Sequence, residues 1–183
     1  MKHVITISVL ILGQLCACSE DDPTPADAIV YVDLNDGQAG YGESFLTDID
    51  GDGMPEYIFN TTLIADPVGD HLRFALVSRM NNEVAGENGN VDVLSAGEQI
   101  GPGLAFDYDT EVLVVKSTTD EDITWWGKWK GVQSKYIGIR FPLKGMVHYG
   151  WIRVSVDESK DLVIVHDMAY SQRDLLAGTI SKQ

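Results

Sequence analysis

Asp48, Asp50 and Asp52 stand at alternate positions, Gly53 follows, and Glu56 comes just after Pro55. Carboxylates spaced this way around a tight turn converge on one point, and hard oxygen donors suit a divalent cation. Gly53 has no Cβ and can take the left-handed backbone that wraps such a loop. Counted from Asp48, Met54 is seventh and would offer its main-chain carbonyl. Glu56 is ninth and would close the site. The expected ligand set for Ca²⁺ is therefore Asp48, Asp50, Asp52, Met54 and Glu56. The alternative is a hydrated acidic hairpin turn. Without an ion, four carboxylates within a few ångströms repel one another.

The first half of this loop matches an EF-hand, but position twelve is Phe59, where an EF-hand carries a bidentate glutamate. The segment beyond Pro55, "EYIFNTTL", reads as a strand rather than a helix. The loop resembles the shorter D-x-D-x-D-G-x-x-[DE] calcium turns of extracellular β proteins. A structural ion is expected rather than a catalytic one, since a catalytic metal needs an open position and more varied ligands. His71, His148 and His166 are scattered and read as packed or surface histidines. "VDLNDG" is a weaker acidic turn, whose Asp33, Asn35 and Asp36 could add a ligand if the strands are neighbours. "DYD" at 107–109 is weaker still.

A second chemistry is aromatic. From Ile123 to Val156 there is no acidic residue, yet the stretch holds all four tryptophans and six lysines and arginines. Trp125, Trp126 and Trp129 are candidates for contact with a ligand, because aromatic faces stack on sugar rings and cations bind hydroxyls or uronates. The plainer reading is core: Trp125 and Trp126 point to opposite faces of an extended chain, so at least one is expected inside. Alternation along 148–157 sets Tyr149, Trp151, Arg153 and Ser155 on one face and Ile152, Val154 and Val156 on the other.

The N-terminal 18 residues read as a lipoprotein signal. Val4–Leu15 is mostly apolar and too short for the roughly 20 residues of a spanning helix. "LCAC" then resembles the bacterial lipobox, with Cys18 as the lipidated residue. Both cysteines of the chain lie here, so no disulfide or thiol nucleophile is expected in the domain. "SEDDPTPAD" resembles the acidic export signal of surface lipoproteins in Bacteroidetes-type bacteria, and residues 19–27 read as an acidic, proline-bearing disordered tether. The expected location is the outer membrane, anchored by lipid and exposed on the cell surface. Residues 28–183 are the expected domain. Cleavage before Cys18 removes one lysine and no acid, leaving 12 basic and 28 acidic side chains, a net charge of −16. That argues against nucleic acid as a partner.

These groups need strands to position them. No long helical period is visible, while short apolar alternations recur between Gly, Asn and Asp clusters. Strands are expected at 28–34, on both sides of the acidic turn, and at 72–80, 111–117, 135–143, 148–157 and 161–170. Lys144-Gly145 reads as a hairpin turn. Residues 85–110 are glycine-rich and read as more loop than strand, and a single helical turn is possible near "SQRDLLAG". The expected class is all-β, one sandwich or jelly-roll-like domain of about 8–10 strands.

"IVYVDLNDG", "LTDIDGDGMPEYIF", "KYIGIRFPLKGMVHYGWIRVSV", "VIVHDMAYS" and "LLAGTI" succeed one another in order. This series resembles a group of secreted bacterial proteins, often lipoproteins, of unassigned function. The resemblance implies a β-sandwich-like secreted domain and carries over the acidic turn at Asp48, Asp50, Asp52 and Glu56, where aspartate is commoner at the ninth position. It implies no activity. The expected function is a non-catalytic binding module for a glycan or protein. The alternatives are a glycan-active enzyme on a jelly-roll scaffold, which needs paired carboxylates, and an assembly subunit of the cell envelope.

Overall fold

Alternation of apolar and polar residues makes strands, and strands must bury their apolar face. A computed structural model describes residues 28–108 and 110–181. The expected signal peptide and tether fall outside those residues. Among the described residues there is no helix. The strands are β1 (Val30–Gly40), β2 (Phe45–Thr47), β3 (Tyr57–Asp66), β4 (Gly69–Ser78), β5 (Glu83–Glu87), β6 (Asn90–Val91) and β7 (Gln99–Ile100). They continue with β8 (Phe106–Asp107), β9 (Thr110–Thr118), β10 (Ile123–Trp126), β11 (Lys135–Leu143), β12 (Met146–Asp157), β13 (Leu162–Ser171) and β14 (Leu175–Leu176).

Twelve of them form one sheet, ordered β1-β13-β12-β11-β5-β6-β9-β4-β3-β2, with β10 beside β9 and β8 beside β5. The sheet curls so that its ends approach. Thr61 Oγ1 on β3 donates to the Gly40 carbonyl at 2.8 Å, and Gly40 bridges Glu43. The domain is all-β, as the alternation implies, and its large sheet is mostly closed beside the small β7–β14 sheet. The long hairpin β11–β12 turns at Lys144 (φ 51°) and Gly145 (φ 76°), the left-handed pair that a two-residue hairpin requires.

The main core lies inside the curl. Tyr57, Phe59, Phe74, Leu76 and Val114 meet Ile137, Ile139, Ile152, Val154 and Val165 there. A second cluster lies on the other face of β11–β13, where Trp151, Ala169, Leu94, Ile100, Leu175 and Ala177 pack together. Trp151 is buried and its Nε1 donates to the Thr179 carbonyl at 3.2 Å. This corrects one expectation. No helical turn forms near 171–178, because Leu175 and Ala177 are needed against Trp151 and Leu175–Leu176 pairs with Gln99–Ile100. Residues 85–110 hold more loop than strand, as expected, with the short strands β5 to β8 threading them.

Next to Trp151, Arg153 holds Asp167 through two nitrogens at 2.8 and 2.6 Å, and Tyr31 donates to the same carboxylate at 3.0 Å. Asp167 is buried, so these donors replace its water. The bonds to Asp167 raise the pKa of both Arg153 and Tyr31.

Trp151→Ala should empty much of the second cluster and cost about 3–5 kcal/mol, which lowers the Tm of a domain this size by roughly 6–20 °C. Trp126→Ala, at an exposed ring, should move it by no more than about 2 °C. Thermal melts of the two variants check this; equal shifts would show that the second cluster is not part of the cooperative fold.

Candidate functional site

The acidic turn joins β2 to β3 and is held at both ends by the ladder. Thr47 pairs with Tyr57, and the Glu56 N–H donates to the Thr47 carbonyl at 3.0 Å. Between them the loop folds on its own carboxylates. Asp48 accepts from Gly51 N–H at 2.7 Å and Gly53 N–H at 2.9 Å. Asp50 accepts from Asp52 N–H at 3.1 Å, and Asp52 from Met54 N–H at 2.7 Å. Gly53 has φ 85°, the left-handed conformation expected of the sixth position.

One carboxylate oxygen from each of Asp48, Asp50, Asp52 and Glu56 falls in a group whose members all lie within 4.8 Å of one another. The cluster could hold a metal ion. The three aspartates are exposed, whereas Glu56 is buried at 8% exposure. Asp33 and Asp36 do not join the cluster. Asp36 instead bonds His166, and Asn35 folds onto its own neighbour Asp33. The side chain of Met54, the expected carbonyl donor, is exposed and its N–H is held by Asp52.

Two side chains tie the turn to the body of the domain. Ile49 points inward against the main core. Glu56 accepts from the Ile49 N–H at 2.6 Å. On the far side, the charge of Asp50 adds to burial in raising the pKa of Tyr170 on β13. Tyr170 packs against Phe141 and His148 there, with centroids 5.3 and 5.9 Å away. Glu56 is itself pushed up, first by burial and then by the charges of Asp50 and Asp48, against the lowering bond from Ile49.

The tryptophans separate. Trp129 is fully buried and donates to the Val91 carbonyl at 3.2 Å, which removes its ring from any ligand. Trp125 is half-buried and stacks on Phe74 at 5.5 Å. Trp126 points the other way and remains 54% exposed. Its Nε1 donates to Ser117 Oγ at 2.9 Å.

Sequence reasoning missed two hydrogen-bonded chains. Ser155 Oγ lies 2.8 Å from His166 Nε2, and His166 Nδ1 lies 2.5 Å from Asp36. Ser117 Oγ lies 2.8 Å from His71 Nδ1, and His71 Nε2 lies 2.9 Å from Asp66. Their order resembles a serine hydrolase triad, but a nucleophile needs an open approach and donors aimed at an oxyanion. Both serines are buried on strands, and each oxygen already accepts an N–H, from Ser134 at 2.8 Å and from Trp126. The chains instead pin strands together. Their partners lie 11 to 130 residues apart for the first and 5 to 46 for the second, so no local motif signals them. His148 is buried against Phe141, and burial lowers its pKa.

No protein-family model matches the chain, and no curated protein or solved structure matches it.

The raised Glu56 value sets a sign for pH. Without metal, the folded state holds the Glu56 proton more tightly than the unfolded chain does. Its stabilising contribution is complete below the unfolded carboxylate pKa and is lost as pH rises through the raised folded value. In chelator, Glu56→Gln should remove that loss. Its Tm should fall less than the parent's between the ordinary carboxylate range and neutral pH. Parallel Tm profiles for the two proteins would contradict the assignment.

Proposed function

We propose that this chain is a lipid-anchored surface protein whose β domain is braced by one Ca²⁺ and serves as a non-catalytic binding module. The observation that carries the reading is the convergence of four carboxylates on the β2–β3 turn. Oxygen-only donors on a short, exposed loop suit Ca²⁺, which accepts six to eight oxygens in flexible geometry. Mg²⁺ demands a tighter octahedron and gives up its water reluctantly. The Met54 carbonyl would add a main-chain ligand. An ion here would relieve the repulsion around buried Glu56 and bind β2 to β3.

The anchor reading rests on the lipobox at Cys18 and the acids at 19–22. Its resemblance to secreted bacterial lipoproteins points the same way. The non-catalytic reading is supported by the two serine chains being committed to the sheet. Trp126 is the aromatic left for a glycan or protein ligand.

Binding to the folded state alone adds about 1.4 kcal/mol at tenfold excess of calcium over Kd. Calcium should therefore raise the Tm of the chain by about 3–6 °C over its value in chelator, and magnesium should do much less. Asp50→Ala should abolish the calcium response. Calorimetric titration of the metal-free chain that detects no binding at millimolar calcium would sink the brace.

The anchor has its own test. Cys18→Ala should yield an unprocessed precursor that takes up no labelled palmitate. Normal processing of that variant would reject lipidation.

A further inference from the structure

We propose that the outer face of β4, β9 and β10 binds an acidic polysaccharide, with Trp126 as the stacking surface and Arg73 as the carboxylate clamp. The inference deepens the binding-module reading and rests on it. It names the place and the ligand class.

Register puts the two groups in one row. Trp126 lies opposite Val115, Val115 opposite Arg73, and Arg73 opposite Thr62. Directly opposed residues share a face of the sheet, so all four side chains point the same way. The bond from Trp126 Nε1 to Ser117 Oγ agrees with that face, since Ser117 is opposite His71 in the adjoining row. Val115 is buried at 2% exposure, whereas Trp126, Arg73, Thr62 and Thr124 are exposed.

Each group is poised for binding in its own way. The Nε1 bond fixes the indole, so a sugar stacking on its open face need not order a mobile ring. Arg73 makes no hydrogen bond or ion pair among the described residues. Lys116, Lys128, Arg140 and Arg153 are paired with Asp161, Asp92, Glu83 and Asp167. Of the cations whose side chains have no partner among the described residues (Arg73, Arg79, Lys130, Lys144 and Arg173), Arg73 is the one in the row of Trp126. A free guanidinium matches a carboxylate through two parallel N–H donors. Two strand spacings separate Trp126 from Arg73, about 10 Å. A sugar chain crossing the strands can therefore place one ring on the indole and a uronate further along at Arg73.

Two features limit the opposing charge at this face of an acidic chain. Asp66, at the end of β3, is engaged by His71 and by the N–H groups of Val68 and Gly69. Asp120, Glu121 and Asp122 sit in the turn before β10, at the opposite end of that strand from Trp126. More distant acids are screened within about 8 Å at physiological salt.

The test is affinity electrophoresis of the full chain in detergent, through native gels containing polygalacturonate or neutral galactan. Polygalacturonate should retard the chain, with an apparent affinity at least about tenfold above galactan. Trp126→Ala should abolish retardation while keeping the parent Tm, and Arg73→Gln should weaken it about tenfold. Retardation should persist in chelator, which excludes calcium bridging through the acidic turn, and its loss there would overturn the direct contact. Retardation unchanged in both Trp126→Ala and Arg73→Gln would overturn the site while leaving the binding-module reading intact. Equal or preferred retention by galactan would overturn the acidic ligand, again without touching that reading. Retention by neither polymer overturns the inference, and the calcium brace then stands or falls on its own melting experiment.

Discussion

β12 must be buried on both faces, and most of the architecture answers that demand. Its even positions Ile152, Val154 and Val156 enter the main core, while Trp151 points into the second cluster. A strand flanked by β11 and β13 can satisfy its backbone within the sheet, but its outer face still needs a cover. Leu94, Ile100, Leu175 and Ala177 supply it, from segments with little regular structure of their own. The β7–β14 pair exists because those segments must be held over Trp151. Arg153 would then sit beneath a partly closed surface, and the buried Asp167 compensates it.

Charge placement follows the same logic of local compensation. The chain is strongly acidic, yet the buried or half-buried carboxylates Asp167 and Glu83 are each met by an arginine through two nitrogens. The exposed acids need no such partner, because water screens them. The turn at Asp48–Glu56 has no arginine on its carboxylates among the described residues. Its carboxylates accept only main-chain N–H groups, and one of them is buried. A bound cation would supply the positive charge that no side chain brings.

Much of this was legible in the sequence where patterns are local. The hairpin strands at 135–143 and 148–157 emerged nearly to their ends, because alternation and the Lys144-Gly145 turn specify register together. The acidic turn was legible for the same reason: its carboxylates, its glycine and its flanking strands fall within a short stretch of chain. Contacts between distant partners stayed hidden. Trp129 and Trp126 look alike in sequence, and only the Val91 carbonyl and the open face of β10 tell them apart. β5 carries a single branched apolar residue, Val84, and forms because β11 and β8 offer it edges. Bulges between Asp33 and Gly37 and at Arg153/Val154 re-aim Asp36 and His166 in ways alternation alone misses.

The acidic turn and the Trp126 face are joined by one strand, and the join limits what calcium could do. β3 leaves the turn at Tyr57 and reaches the face at Thr62, about 17 Å further on. Yet the two groups argued to hold a ligand, Trp126 and Arg73, sit on β10 and β4, with the indole fixed by Ser117 of β9. An ion can shift an equilibrium only by binding one state better than another. The clustered carboxylates all lie within the β2–β3 turn, so the states an ion would distinguish are the folded chain, where they converge, and the unfolded chain, where they do not. Within the folded state the Trp126 bond rests on β9, β10 and β4, which pair without β2. A bound ion would therefore act on the stability of the fold, and the geometry of the Trp126 face is set by the sheet.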